Sequence, residues 1–138
     1  MTAAEARERF ESARVARLAT ADASGRPHIV PVAFVVATRL HLRTYEVRQS
    51  RRVIYSAVDA KPKRTTELRR LANVWENPGV ALLADHYEED WERLWWARAD
   101  GVARVLGAGD AEARRAHGLL AERYPQQRWA GTVLAVYV

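Results

Sequence analysis

The sequence predicts a mainly β, α+β domain: a six- to seven-stranded antiparallel barrel with flanking helices. Short runs of strand composition follow one another with only brief turns between them. Helical periodicity is confined to three segments, at 3–13, 64–76 and 110–124. Strands therefore do not alternate with helices one for one, as a parallel βαβ sheet requires.

Thr2 and Glu5 form an S/T-x-x-E capping box, and Ala3, Ala6, Phe10 and Ala13 recur at helical spacing. This predicts an amphipathic helix over 3–13 that covers one face of something else. Val15 to Asp22 has strand composition, and the turn cluster Asp22-Ala23-Ser24-Gly25-Arg26-Pro27 closes a hairpin. His28 to Ala37 is almost wholly apolar and β-branched, which predicts one strand buried on both faces. After the polar break Thr38-Arg39, Leu40 to Tyr45 continues a meander. Glu46 to Arg52 reads as a loop, and Val53 to Val58 as the next strand.

The period then changes. Leu68, Leu71, Ala72 and Trp75 make one helical stripe, and Asn77-Pro78-Gly79 ends it. Val80 to Ala84 reads as a core strand. Leu94 to Leu106 reads as one long or bent strand, with Asp100-Gly101 marking a bulge or tight turn. Asp110 is placed to cap a helix that runs to Tyr124 and stops at Pro125, and Thr132 to Val138 forms the last strand. With no internal repeat or linker, residues 1–138 are expected to be a single domain.

Several function classes fall away. Cys is absent, which excludes disulfides, thiolate metal sites and a cysteine nucleophile, and suits a reducing cytoplasm. Charged residues interrupt the first apolar positions, and the longest uncharged run, Pro27 to Thr38, falls short of the roughly 20 apolar residues of a membrane helix. A soluble, cytoplasmic protein without a membrane partner is expected. There is no phosphate loop of the G-x-x-x-x-G-K type and no nucleophile elbow. Gly107-Ala108-Gly109 starts a dinucleotide fingerprint, but Glu112 stands where the third glycine belongs. Asp85-His86-Tyr87-Glu88-Glu89-Asp90 matches no metal-ligand spacing and reads as a solvated acidic loop, so no metal site is expected. His28, His41 and His117 read as ordinary packing or surface residues.

Charge is more informative by position than in total. The net +5 comes from 22 basic and 17 acidic residues, and Lys61 and Lys63 are the only lysines. Residues 48–70 carry eight basic side chains against two acidic ones, a local +6, and the remainder is about neutral. Such a field attracts a phosphate or a polyanionic tail, the alternative being a solvated Arg-rich face. Aromatics lie mainly outside this segment, unlike a stacking groove for single-stranded nucleic acid, so no nucleic-acid partner is expected. Within it, Asp59-Ala60-Lys61-Pro62-Lys63-Arg64-Thr65-Thr66 joins a strand to the first turn of a helix. Backbone N–H groups, the positive helix end, three cations and two hydroxyls make an anion site there. Trp91, Leu94, Trp95, Trp96 and Arg98 form the second cluster, with Leu94, Trp96 and Arg98 on one strand face. Five tryptophans exceed what a small barrel encloses, which points to a homodimer interface, with a tryptophan face beside a planar ligand as the other reading.

The strand Val15-Ala16-Arg17-Leu18-Ala19-Thr20 with Gly25-Arg26-Pro27-His28, the segment Asp59-Ala60-Lys61-Pro62-Lys63-Arg64, and Asn77-Pro78-Gly79-Val80-Ala81-Leu82-Leu83 resemble a known family. So do Asp85-His86-Tyr87, Asp90-Trp91 and Leu94-Trp95-Trp96-Ala97-Arg98. The family is that of the pyridoxamine-phosphate-oxidase-like split β-barrels, and within it the deazaflavin (coenzyme F420)-dependent oxidoreductases. The resemblance implies an FMN-binding type of split barrel, a homodimer with cofactor clefts between subunits, and hydride transfer from reduced coenzyme F420 to a small unsaturated or quinone-like acceptor. It implies that Lys61, Lys63, Arg64 and Thr65 bind the phosphate. The ring would lie near Pro31, Val32, Ala33 and Phe34, with Arg43 and Thr44 close by, and Trp96 and Arg98 would reach in from the partner subunit. Protonation would come from water, Tyr87 or His86, and no catalytic residue is assigned. Members of this family also use FMN, bind haem or reduce biliverdin, so the alternative is an FMN-binding oxidoreductase or a non-catalytic flavin or haem carrier. Charge favours F420, because one FMN phosphate would leave much of the local +6 unused, whereas a glutamate-bearing tail would not.

Overall fold

The computed structural model describes residues 1–40, 50–59 and 65–138. Helix α1 (Ala3–Ser12) is capped by the Thr2 hydroxyl, which accepts from the Glu5 N–H at 3.1 Å. Strands β1 (Ala16–Ala21) and β2 (Pro27–Val32) form the expected hairpin. In its turn the Asp22 carboxylate accepts from the Arg26 N–H, the Ser24 hydroxyl and the Ser24 N–H, which holds its carboxyl below the usual range. Gly25 takes φ +85°, a left-handed conformation that favours glycine.

Strands β3 (Val35–Leu40) and β4 (Ser50–Asp59) pair next, followed by helix α2 (Thr65–Glu76) and strand β5 (Gly79–His86). A single 3-10 turn at Trp91–Arg93 leads into the twelve-residue strand β6 (Trp95–Leu106). Helix α3 (Ala111–Arg123) starts at the expected Asp110 cap, and β7 (Trp129–Tyr137) completes the set. All pairings are antiparallel, in the order β2-β1-β5-β6-β7-β4-β3. Mainly β architecture with three flanking helices is what the composition predicted.

Several expectations change in detail. His28 to Ala37 is not one strand but parts of two, β2 and β3, broken at Ala33-Phe34. Those strands do not pair; they are the opposite edges of the sheet. The break is imposed from far along the chain. The Tyr124 hydroxyl sits 2.8 Å from the Phe34 carbonyl, 3.0 Å from the Arg14 carbonyl and 3.3 Å from the Phe34 N–H, while Arg123 donates to the Phe34 and Ala13 carbonyls. Nor is β2 buried on both faces, since its exposure alternates. The loop expected to run to Arg52 gives way at Ser50, because Ser50, Arg51 and Arg52 pair with Leu40, Arg39 and Thr38. Of the strand expected at Leu40 to Tyr45, all but Leu40 lies outside the described residues.

Asp100-Gly101 marks neither a bulge nor a turn, because β6 keeps unbroken register with β5 through both residues. Glycine is needed there for another reason: a Cβ at 101 would lie 2.6 Å from the Tyr137 carbonyl oxygen. Strand β7 can approach β6 only because that Cβ is missing.

The inward faces meet in one core of Phe10, Leu18, Val32, Phe34, Ile54, Val74, Leu82, Ala97, Leu134, Val136 and their neighbours, to which all three layers of α1, sheet and α2 contribute. A second cluster lies on the outside of β7, β4 and β3. There Val53, Tyr55, Ala57, Val133 and Ala135 pack under Ala113, Ala116, Leu120 and Tyr124. Helix α3 thus closes that half of the outer surface.

Candidate functional site

Among the described residues no helix covers the outer face of β2, β1, β5 and β6 in the same way. Strand alternation sends Leu18, Leu82 and Ala97 inward and Arg17, Leu83 and Arg98 outward. Register then lines up Pro31, Arg17, Leu83 and Arg98 as one row across four strands. Three inter-strand steps make that row about 14 Å long. The next row is Ile29, Ala19, Ala81 and Asp100, and Trp96 stands beside Asp85 in the preceding one. Ile29, Trp96 and Val102 are 64%, 58% and 56% exposed, so the face is apolar as well as open. Two exposed ion pairs cross it, Arg17 with Asp85 at 3.5 Å and Arg98 with Asp100 at 3.1 Å.

Beside Trp96 and Arg98 the sheet opens into a wedge. Strand β7 pairs with β6 only along Val102–Leu106 and with β4 along Val53–Asp59. Past Tyr137 the two strands separate, and α1 lies across the gap. A cavity of about 430 Å³ results, lined by Ala3, Ala6 and Phe10 of α1, by Val36 and Ile54, and by β6 from Trp96 to Asp100. At its rim Arg52 is ion-paired with Glu11.

The residues expected to bind a cofactor fall into three groups. Trp96 and Arg98 share the open face with Pro31, three strands away. Val32 and Phe34 turn inward instead, and Ala33 packs partly buried beside the second cluster. Phe34 has no exposed surface in the single chain and packs in a tilted pair with Phe10, ring centroids 5.1 Å apart. Its position two residues past Val32 in a continuous apolar run concealed this. Lys61, Lys63 and Arg64, like Arg43 and Thr44, lie outside the described residues; Thr65 is the first residue of α2. His86 meets Glu88 at 2.6 Å, and Tyr87 is exposed. Among the described residues no group of three or more His, Asp or Glu is placed to hold a metal.

Sequence reasoning missed Arg17 and Leu83, although the inward-outward alternation of β1 and β5 carried the signal. It also missed Arg7 at the cavity, for which nothing local signals a meeting between α1 and β4.

A family model described as pyridoxamine 5'-phosphate oxidase matches residues 2–137. No curated protein matches the chain. Among solved structures, the haem storage protein HutZ of Vibrio cholerae is 17% identical, with a TM-score of 0.65 over 98% of this chain and 87% of that one. A FAD-binding protein of Mycobacterium smegmatis is 20% identical, with a TM-score of 0.58 over 99% and 88%. A FAD-binding protein of Mesorhizobium loti is 17% identical, with a TM-score of 0.60 over 100% and 96%. At these identities the likeness is one of fold.

Proposed function

Because the chain belongs to the pyridoxamine 5'-phosphate oxidase family, matched over residues 2–137, we propose that it is a homodimeric oxidoreductase that binds a flavin-type cofactor, coenzyme F420, at its subunit interface. The family match carries this reading. The open face supports it, since an apolar sheet surface bearing Trp96, with Arg17 and Arg98 in one row, suits an apolar ring system attached to an anionic tail. When bound, the reduced deazaflavin supplies a hydride for a small unsaturated or quinone-like acceptor.

The chain's own residues bind, orient and exclude water. Lys61, Lys63, Arg64 and Thr65 hold the phosphate at the start of α2, where charge-assisted hydrogen bonds and the helix end favour an anion. Pro31 of one protomer and Trp96 and Arg98 of the other flank the ring. The surrounding +6 of residues 48–70 draws in the carboxylates of the tail. A second copy seated on the bare face covers Ile29, Leu83 and Val102 and dries the cleft.

The competing reading is an FMN, FAD or haem carrier of the same fold, favoured by the names of the structural neighbours. Titration of the purified protein with F420 of short and long glutamate tails, FMN, FAD and haem, at low and high salt, separates the two. Tighter binding of long-tailed F420 that weakens with salt is expected; tighter binding of a flavin nucleotide or haem overturns the proposal. Lys61→Ala with Lys63→Ala should weaken cofactor binding by about 2–4 kcal/mol while the fold stays intact. Unchanged affinity removes the two lysines from the phosphate site.

A further inference from the structure

We propose that the wedge cavity beneath α1 is a separate small-molecule subsite, and that its ligand is an apolar, ring-sized molecule carrying one anionic group. Its role as the acceptor site rests on the oxidoreductase reading; the binding itself does not.

Size, lining and charge each constrain the ligand. A volume of about 430 Å³ lies within the usual range for small-molecule sites, roughly 300–1,000 Å³. The walls are alanine, Val36, Ile54 and Phe10, with β6 at Trp96 closing one end, which favours an apolar body. Of the charged lining residues, Arg98 and Asp100 pair with each other on the outer face of β6, while Arg7 and Arg52 stand against Glu11 on the α1 side. Glu11 pairs with Arg52 and Asp100 with Arg98, which leaves Arg7 without a carboxylate among the described residues. Arg7 donates from Nε to the Ala3 carbonyl at 3.4 Å, a neutral partner that leaves its charge uncompensated. One excess cation on an apolar cavity selects one anionic group.

The backbone adds a polar seam. From Trp96 to Asp100 the edge of β6 that faces the wedge pairs with no strand among the described residues. Unpaired strand-edge N–H and C=O groups need partners, and a ligand carbonyl or carboxylate in the cavity can supply one. The cavity therefore offers an apolar slot, a hydrogen-bonding edge and one cation, which is more than apolar packing space.

The probe is 8-anilinonaphthalene-1-sulfonate, followed by fluorescence against the uncharged N-phenyl-1-naphthylamine of similar shape. One sulfonate probe per chain is expected, at least fivefold tighter than the uncharged compound. Arg7→Gln should remove most of that preference and leave the uncharged compound unaffected. Ala3→Trp, an exposed position on α1 that fills the cavity from its rim, should weaken both by tenfold or more with an unchanged circular dichroism spectrum. Equal binding of the two probes, or probe binding that ignores both variants, overturns the proposal. Titration of the same variants with F420 and FMN keeps the two readings apart. A wild-type chain that binds the sulfonate through Arg7 but no cofactor retains the subsite and refutes the oxidoreductase; cofactor bound with no Arg7-dependent probe binding does the reverse.

Discussion

The seven-stranded sheet has two outer halves, and the chain treats them differently. Over β7, β4 and β3, helix α3 buries Val53, Tyr55, Ala57 and Ala135 beneath Ala113, Ala116 and Leu120. Over β2, β1, β5 and β6 the described residues provide no such cover, and Ile29, Trp96 and Val102 face outward. Both halves have the same alternating period, and both carry apolar residues outward. A contiguous row of outward apolar residues across several strands is what a covered surface and an open binding surface have in common. The strand cannot say whether a cover comes from its own chain or from another. For α3 the cover is local; for the bare half the proposed cover is a second copy.

The largest expected effect breaks the covered half. Leu120→Ala removes a side chain with no exposed surface and should cost about 2–5 kcal/mol in chemical denaturation, since little around it is free to collapse. A cost below 1 kcal/mol would mean that α3 is loosely docked. Next in size is Tyr124→Phe, which deletes the hydroxyl beside Arg14 and Phe34 and leaves the Phe34 N–H without its acceptor. About 1–3 kcal/mol of lost stability is expected.

Tyr55 tests the same half through pH. Its phenol is pushed well above the usual 10.0, first by burial and then by its hydrogen bond to Glu112, which it donates at 2.8 Å. The folded chain favours the protonated phenol, so this stabilisation is complete below about pH 10 and is lost as pH rises beyond the unfolded value. Melting measured from pH 8 to 11 should show that loss, and Tyr55→Phe should flatten it. A Tyr55→Phe profile as steep as wild type would assign the alkaline loss to other groups.

The smallest effect on stability belongs to the bare half, where it is the most discriminating. Ile29→Arg replaces an exposed side chain and should shift stability of the single chain by no more than about 0.5 kcal/mol. The same change should convert a dimer to a monomer in light scattering at micromolar concentration. If Ile29→Arg leaves a dimer intact, the interface lies elsewhere.

What was legible in the sequence follows from how local each cause is. The starts of α1 and α3 were readable because Thr2 and Asp110 act on N–H groups two or three residues away. The break at Ala33-Phe34 was not, because its cause is Tyr124, 90 residues further on, inside a run that is uniformly apolar. Gly101 was correctly singled out and wrongly explained: the demand comes from the β7 backbone rather than from a turn. At the candidate site, Trp96 and Arg98 were found because they share a strand face within one short segment. Their alignment with Pro31 depends on three ladders of pairing, which periodicity along one strand does not contain. The basic segment Lys61 to Arg64 is legible in sequence alone, since it lies outside the described residues.

Strand order also sets a constraint on how the protein is made. β7 is the last of the seven described strands to be made, yet it is inserted in the middle of the sheet, between β6 and β4. Until it arrives, β4 with β3 and β6 with β5 can form only as two separate ribbons. At roughly 5–20 residues per second of synthesis, the two ribbons wait several seconds with open edges and uncovered apolar faces. Closure of the sheet, and with it the clasp of Tyr124 on Phe34, thus waits until β7 has been made, and a chain not yet extended that far is the state in which this fold is most exposed to aggregation.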